Sequence, residues 1–268
     1  MPELAVLRIC AFGCNLQIES TRAIAVERAG QYVLPTLPRV RSFDGAIHWR
    51  ARIEEKDSGL ELIADGVQRT FAPTVDSMMP FLIRALDDAV IRNLRELYAV
   101  HAGCVVWRGR AILLPGPTHA GKSSLVAELL RRGATYYSDE YALIDGDGRV
   151  HPYPRAVLMR NGSPEQKPML ASEWGAAVGD GPAAVGWIFA VNYQPDGAWT
   201  LQPMEQSDTT FALLRNTPHV LAEAPVMLSH FHRAVLGARG FHGVRNDAAE
   251  AADRILQIAD ETAEPESR

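Results

Sequence analysis

The chain has little cysteine, no concentration of positive charge and no long hydrophobic run, and each shortage excludes a class of protein. Its three cysteines, Cys10, Cys14 and Cys104, are too few and too scattered for a disulfide framework or a zinc site, which favours a reducing compartment. No basic block stands out in a chain of formal charge −5, so nucleic acid is not an expected partner. No run approaches a membrane span, and the first residues lack signal-peptide features. We expect a cytoplasmic protein without a membrane partner.

The 268 residues are enough for two lobes. Residues 4–72 alternate apolar and polar positions in short runs, separated by turn signals such as Asp65-Gly66, which predicts antiparallel strands in a small β-rich lobe. Helical spacing of leucine and valine follows, which predicts a helix between the lobes. The expected division is an N-terminal lobe, a linking helix, a nucleotide-binding lobe and a disordered tail, over residues 1–75, 76–97, 98–260 and 261–268.

The most informative segment matches the motif G-x-x-x-x-G-K-S and begins at Gly116. Such a loop wraps backbone amides around nucleotide phosphates and presents its lysine, here Lys122, to them. A buried strand is predicted before the loop, and helical spacing follows it as far as Gly133, so the N-terminus of that helix would face the phosphates. We therefore expect ATP or GTP to bind here. The predicted nucleotide-binding residues are Gly116, Pro117, Thr118, His119, Ala120, Gly121, Lys122, Ser123 and Ser124.

An acidic pair, Asp139 and Glu140, lies at the junction of two predicted strands beyond this helix. Ser123 is placed to coordinate Mg²⁺ through its hydroxyl. Two adjacent carboxylates can divide the remaining work, one contacting Mg²⁺ and the other accepting a proton from an acceptor hydroxyl. The alternative is an exposed acidic turn with no chemical role.

Other charged residues allow two interpretations each. Arg155 and Arg160 alternate with apolar residues, so they can point at a transferring phosphoryl group or simply face solvent from a strand. His101 opens a predicted strand and can be catalytic or structural. Asp145-Gly146-Asp147-Gly148 resembles the start of a calcium loop, but a ligand position is occupied by Arg149, which favours a hairpin turn.

Five segments, in this order, resemble the catalytic domain of HPr kinase/phosphorylase. They are His101–Val106, Ala111–Gly116, Gly121–Ser124, Arg132-Gly133 and Ser138–Glu140. The resemblance implies an α/β (α+β) fold with a mixed sheet core, related to ATP-dependent phosphoenolpyruvate carboxykinase. It also implies that Asp139 matches a catalytic aspartate, that Glu140 replaces a second aspartate, and that His101 lies near the phosphates.

The chain departs from that family at three places, one of which is the N-terminal lobe, which has no obvious counterpart there. His119 occupies a loop position where the family commonly has glycine, and residues 170–215 contain no clear counterpart of the family's Leu-Glu-Ile-Arg-Gly-type signature. The chain is therefore more similar to the HPr-kinase-related proteins that stand apart from sugar regulation, including the kinases of lasso-peptide clusters. HPr as the substrate, and a phosphorylase activity, are not expected.

These observations predict a Mg²⁺- and ATP-dependent kinase that phosphorylates a serine-type hydroxyl of a peptide or small protein. Asp139 would be the base, Lys122 would polarise the phosphates, and Arg155 would stabilise the charge that develops during transfer. Two alternatives remain open: a kinase for a small molecule such as an amino acid or sugar, and a weakly catalytic module that binds peptide under nucleotide control. Each of these three functions is compatible with a homo-oligomer.

Overall fold

The computed structural model describes residues 4–37, 40–160, 162–218 and 224–263. Contacts divide the chain into two compact units, residues 1–95 with 155–170, and residues 96–154 with 171–268. None of the helices in the described ranges is long and apolar enough to cross a membrane. The elements, in chain order, are β1 (Ala5–Ala11), β2 (Cys14–Ser20), α1 (Ala23–Tyr32), β3 (Trp49–Lys56), β4 (Gly59–Ala64), β5 (Gln68–Ala72), α2 (Val75–Asn93), β6 (Tyr98–Trp107), β7 (Arg110–Pro115), α3 (Lys122–Arg131), β8 (Thr135–Ser138), β9 (Tyr141–Ile144), β10 (Arg149–His151), β11 (Val157–Met159), β12 (Lys167–Met169), a 3-10 helix (Ala171–Trp174), β13 (Ala183–Tyr193), β14 (Thr200–Met204), α4 (Gln206–Arg215), α5 (Ala224–Leu236), β15 (Arg239–Arg245) and α6 (Ala248–Thr262).

The first unit is a sheet in the order β1-β2-β3-β4-β5 with helices α1 and α2. Strand residues such as Ile9, Ile18 and Leu62 are fully or nearly fully buried and form part of its core. The sequence predicted strands here, but not the parallel pairing of β2 with β3. A parallel pair needs a crossover, which α1 and the segment after it supply, and the prediction of antiparallel strands alone was wrong on this point.

Helix α2 confirms the predicted helical stripe, but it ends at Asn93 because Leu94 adopts an extended backbone conformation. Its start is fixed by a capping box between Thr74 and Ser77. The hairpin of β11 and β12 packs on α2 and so belongs to the first unit, although it follows β10 in sequence. The first unit is therefore built from two separate stretches of chain.

The second unit is a mixed sheet in the order β10-β9-β6-β7-β13-β15-β14, with β8 also paired to β6. Strands β7, β13 and β15 are parallel, whereas β6 is antiparallel to β7, β8 and β9. Strand β10 pairs with both β9 and the start of β13, so the sheet curls back on itself. The predicted class, a mixed α/β fold, is confirmed. Strands β7 and β8 end at the same edge of this sheet, which is where the candidate site lies.

Several elements differ from the sequence-based expectation. Helix α5 and strand β15 were not predicted, and α6 continues to Thr262, so residues 261 and 262 are helical instead of the start of a tail. The rest of the expected tail, residues 264–268, lies outside the described residues. The hairpin turn predicted after Ile144 is confirmed, since β9 and β10 pair antiparallel around it and the Asp145 carboxylate accepts the backbone N–H groups of Asp147 and Arg149.

Candidate functional site

Strand β7 leads into the glycine- and lysine-containing segment 116–124, which we call the Gly-Lys loop and whose last three residues begin helix α3. One face of α3 is buried through Leu125, Val126, Leu129 and Leu130, the apolar positions that predicted the helix. The N-cap of α3 is Gly121 in the left-handed conformation, with no side-chain cap for the first helical amides. Free amides at a helix N-terminus favour an anion, so the local structure suits a phosphate group.

The ammonium group of Lys122 reaches back to the first residues of the Gly-Lys loop. Nζ donates hydrogen bonds of 2.9 Å to the backbone oxygens of both Gly116 and Pro117. Burial lowers the pKa of Lys122, although the carboxylates of Asp139 and Glu140 oppose this shift. A buried cation that donates to neutral carbonyl groups is ready to exchange them for a phosphate oxygen.

Asp139 is fully buried and held by two hydroxyl groups. Oδ2 accepts a hydrogen bond of 2.8 Å from Oγ of Ser123, and Oδ1 accepts one of 3.1 Å from the phenol of Tyr136. This carboxylate is therefore hydrogen-bonded to the Gly-Lys loop, and it presents no surface to an acceptor that approaches from solvent. Ser123 and Asp139 together offer hydroxyl and carboxylate oxygens, the donor set that fits Mg²⁺.

Glu140 lies beside Asp139 but faces a different neighbour. Its Oε1 is 2.9 Å from Nε2 of His101, and the two side chains are 31 and 17 % exposed. The hydroxyl of Ser138 accepts the N–H groups of Glu140 and Tyr141, which fixes the bend that separates the two carboxylates. The pair thus has one inaccessible and one accessible member, a division that adjacent acids in a sequence cannot reveal.

His101 reaches this pair from inside strand β6, where the sequence analysis expected the start of a strand. Its backbone oxygen accepts the N–H of Gly116, and the N–H of Ala102 donates to the backbone oxygen of Glu140. The strand therefore touches both the first residue of the Gly-Lys loop and the acidic pair. The second unit brings Lys122, Ser123, Asp139, Glu140 and His101 together.

Arg155 is placed differently from these five residues. It belongs to the first unit, where its side chain is 2 % exposed and Nε lies 3.0 Å from Oδ2 of Asp87. Nη1 also donates to the backbone oxygen of Ala156. The charge of Arg155 is thus matched by a carboxylate of helix α2. Arg160, the other arginine of this segment, is exposed just after β11.

Arg245, which the sequence analysis did not select, lies directly against the Gly-Lys loop. Nη2 donates to the backbone oxygens of Gly121 (2.8 Å) and Ala120 (3.3 Å), and only 2 % of the residue is exposed. A Cβ on Gly121 would overlap this guanidinium group. Its place at the end of β15, more than a hundred residues from the loop in sequence, left no local signal. Only the parallel order of β7, β13 and β15 could have suggested it.

His119 lies in the exposed part of the Gly-Lys loop and has a φ of 69°. This is the left-handed region, which costs residues other than glycine about 1–2 kcal/mol. The backbone at this position therefore favours glycine. A histidine here strains the loop without burying its side chain.

Comparisons with known proteins add a distant likeness. No family model and no curated protein sequence matches the chain. Among solved structures, it is similar to the Hpr(Ser) kinase/phosphatase from Coxiella burnetii, at 14 % sequence identity and a TM-score of 0.30, over 61 % of this chain and 98 % of that one. A TM-score this low marks a remote resemblance, so the function has to be judged from the residues of the chain itself.

Proposed function

We propose that the chain is an ATP-dependent kinase that phosphorylates a serine-type hydroxyl of a peptide or small protein. The observation that carries the proposal is the convergence of Lys122, the Ser123–Asp139 pair and the Glu140–His101 pair at one edge of the second sheet. Phosphoryl transfer depends on positioning and charge stabilisation more than on covalent chemistry by the protein. These residues supply a phosphate cradle, a buried carboxylate and an accessible base.

Lys122 and the amides at the start of α3 would bind the phosphate chain of ATP and offset its charge. Ser123 and Asp139 would hold Mg²⁺, which when bound neutralises phosphate charge. Because Asp139 is fully buried, we assign it to this task and transfer the role of base, expected of Asp139 from sequence, to Glu140.

Glu140 would take the proton from the acceptor hydroxyl as that oxygen bonds to the γ-phosphorus. The bond between the γ-phosphorus and the bridging oxygen breaks, and ADP leaves with the electron pair. His101, within hydrogen-bond distance of Glu140, would orient the carboxylate. We assign no step in this proposal to Arg155, whose charge is matched by Asp87.

A peptide acceptor is favoured by the edge strand of the first unit. Among the described residues, β5 pairs with β4 alone, and Phe71 on β5 is 50 % exposed. An extended peptide can add to such an edge through main-chain hydrogen bonds and place alternate side chains against exposed apolar groups. A free amino acid or sugar would gain nothing from it.

The test is transfer of label from γ-labelled ATP with Mg²⁺ into host lysate separated into peptide, protein and metabolite fractions. We expect label in a peptide or protein fraction with the wild type, none with Lys122→Ala, and a loss of at least about a hundredfold with Glu140→Gln. Asp57→Asn, an exposed carboxylate in the β3–β4 turn, is the matched control and should leave transfer unchanged.

The distribution of label separates the alternatives. Label in the metabolite fraction alone would replace the peptide kinase with a small-molecule kinase. Full transfer by Glu140→Gln would show that Glu140 is not the base. Binding of ATP and of peptide with no transfer to any fraction would leave the nucleotide-gated binding module.

A further inference from the structure

We infer that Tyr193, backed by Arg245, forms the subsite for the base of the nucleotide, so that the ligand is a nucleoside triphosphate held by stacking at one end and by the Gly-Lys loop at the other. This inference rests on the proposed function, because it needs the loop to bind phosphates. It concerns a different group of residues on the opposite side of β7.

Tyr193 is the last residue of β13, the strand that pairs in parallel with β7. The last paired residues of the two strands are Ile188 and Leu113, and β13 continues from there to Tyr193 while β7 turns into the loop. Tyr193 is thereby carried alongside the Gly-Lys loop. The Cβ of Tyr193 lies 3.7 Å from the position that a Cβ on Gly121 would occupy.

Tyr193 combines exposure to solvent with a cation over its ring. The residue is 46 % exposed, and the guanidinium group of Arg245 lies over the ring at 5.3 Å from its centre. The exposed surface of the ring therefore lies away from Arg245. A half-exposed aromatic ring with a cation over it is a platform for a flat π system.

Arg245 supports this platform and the loop at once. It is opposite Tyr193 in the pairing of β13 with β15, and it donates to the backbone oxygens of Ala120 and Gly121. Its Nε is buried and has no hydrogen-bond partner among the described residues. A buried donor without a partner carries a cost, which an additional acceptor at this place would remove.

The direction of the phosphate chain places the base on this side. Strands β6 and β8, which lead to His101 and Asp139, lie on one side of β7, and β13 and β15 lie on the other. If the terminal phosphate faces the acceptor side at Glu140, the α-phosphate and the nucleoside leave the loop towards Tyr193. Stacking accepts any base, and a purine offers the larger surface.

The test compares Mg-ATP with Mg-tripolyphosphate, which has the same phosphate groups but no nucleoside, by titration calorimetry on the full chain. We expect Tyr193→Ala to weaken ATP binding roughly tenfold and to leave tripolyphosphate binding unchanged. Tyr193→Phe keeps the ring and should bind both ligands as the wild type does. Since Tyr193 is half exposed, neither variant should shift the thermal unfolding midpoint by more than a few degrees.

The outcomes distinguish this subsite from the proposed function. If Lys122→Ala loses both ligands while Tyr193→Ala binds ATP like the wild type, the stacking subsite is wrong and the phosphate loop stands. An equal loss of both ligands by Tyr193→Ala also overturns stacking, because it would show an effect on the loop instead. If the wild type binds neither ligand, both the subsite and the proposed function fail.

Discussion

The hydroxyl of Ser123 donates a 2.8 Å hydrogen bond to Oδ2 of Asp139, joining the first turn of α3 to the end of β8. The pair connects the Gly-Lys loop to the strand that carries the acidic residues, and Tyr136 holds the second carboxylate oxygen. Hydrogen bonds to a charged group are worth about 1.5–3 kcal/mol, so the pair should be set in this arrangement before any ligand arrives.

Removing either partner should weaken Mg²⁺-dependent ATP binding. We expect Ser123→Ala and Asp139→Asn each to lower ATP affinity roughly tenfold in the presence of Mg²⁺. The double variant should bind ATP almost as well as the single variant with the lower affinity, because both substitutions act on one pair. Titration with and without EDTA measures this. Tyr136→Phe, which removes only the hydrogen bond to Oδ1, should affect stability more than ATP affinity. Additive losses in the double variant would show that the two residues act separately.

The lowered pKa of Lys122 should give two pH effects of opposite sign. Nucleotide affinity should fall as pH rises through the folded-state pKa, which burial places below the ordinary lysine value of 10.5. Between those two values the unfolded chain binds more protons than the folded one, so this group should raise the free energy of unfolding as pH increases. ATP titrations and denaturant unfolding across the alkaline range measure the two effects.

Lys122→Arg is the matched control for this pH dependence. An arginine stays charged throughout that range, so its ATP affinity, whatever its size, should not follow pH in the same way. A wild-type affinity that is independent of pH up to 10.5 would contradict the assignment of Lys122 to the phosphates.

The buried pair of Arg155 and Asp87 should contribute to stability through the cost of breaking it. We expect Arg155→Met to lower the free energy of unfolding by about 3–5 kcal/mol, because it leaves the Asp87 carboxylate buried without its partner, whereas Arg155→Met with Asp87→Leu should recover much of the loss. Denaturant titration measures both. The exposed pair of Arg28 and Asp76 is the comparison, where Arg28→Met should cost less than about 1 kcal/mol. A small effect of Arg155→Met would free this arginine for another role.

His119→Gly should relieve the backbone strain at this exposed position of the Gly-Lys loop. We expect the free energy of unfolding to rise by about 0.5–1 kcal/mol, since the gain from removing a left-handed side chain is partly offset by the greater freedom of glycine in the unfolded chain. His119→Ala keeps the strain and should show no such gain. If both variants have equal stability, the left-handed conformation of His119 carries no cost. Denaturant titration of the three proteins gives the comparison.

The sequence was most informative where the signal is local. The strand before Gly116, the helix after Lys122 and the turn after Asp145 follow from residues within a few positions of one another, and they are confirmed. The mixed α/β class was implied by the resemblance of five short segments to a known family, and it is confirmed. Helix α1 was missed because it begins with alternating small and β-branched residues, Ala23 to Val26, among strand signals, and tertiary packing decided the outcome.

The site was harder to predict from the sequence because its contacts are long-range. Asp139 and Glu140 are adjacent in sequence, yet one is buried against Ser123 and the other faces His101, a difference set by the bend at Ser138. Arg245 gave no signal at all, since it meets the loop only through the order of the strands. Residue types at a spacing can suggest a chemistry, but exposure and partner choice assign the roles.

Because residues 155–170 belong to the first unit, the first unit cannot finish folding until they have been synthesised. A ribosome releases the first 95 residues well before Arg155, so until then helix α2 has to shelter the Asp87 carboxylate without its cation. The N-terminal stretch therefore cannot reach its final stability during early synthesis, because residues 155–170 are made only after residues 96–154 of the second unit. Nascent-chain proteolysis would show protection of the first 95 residues only once about 170 residues and the stretch that fills the exit tunnel have been made.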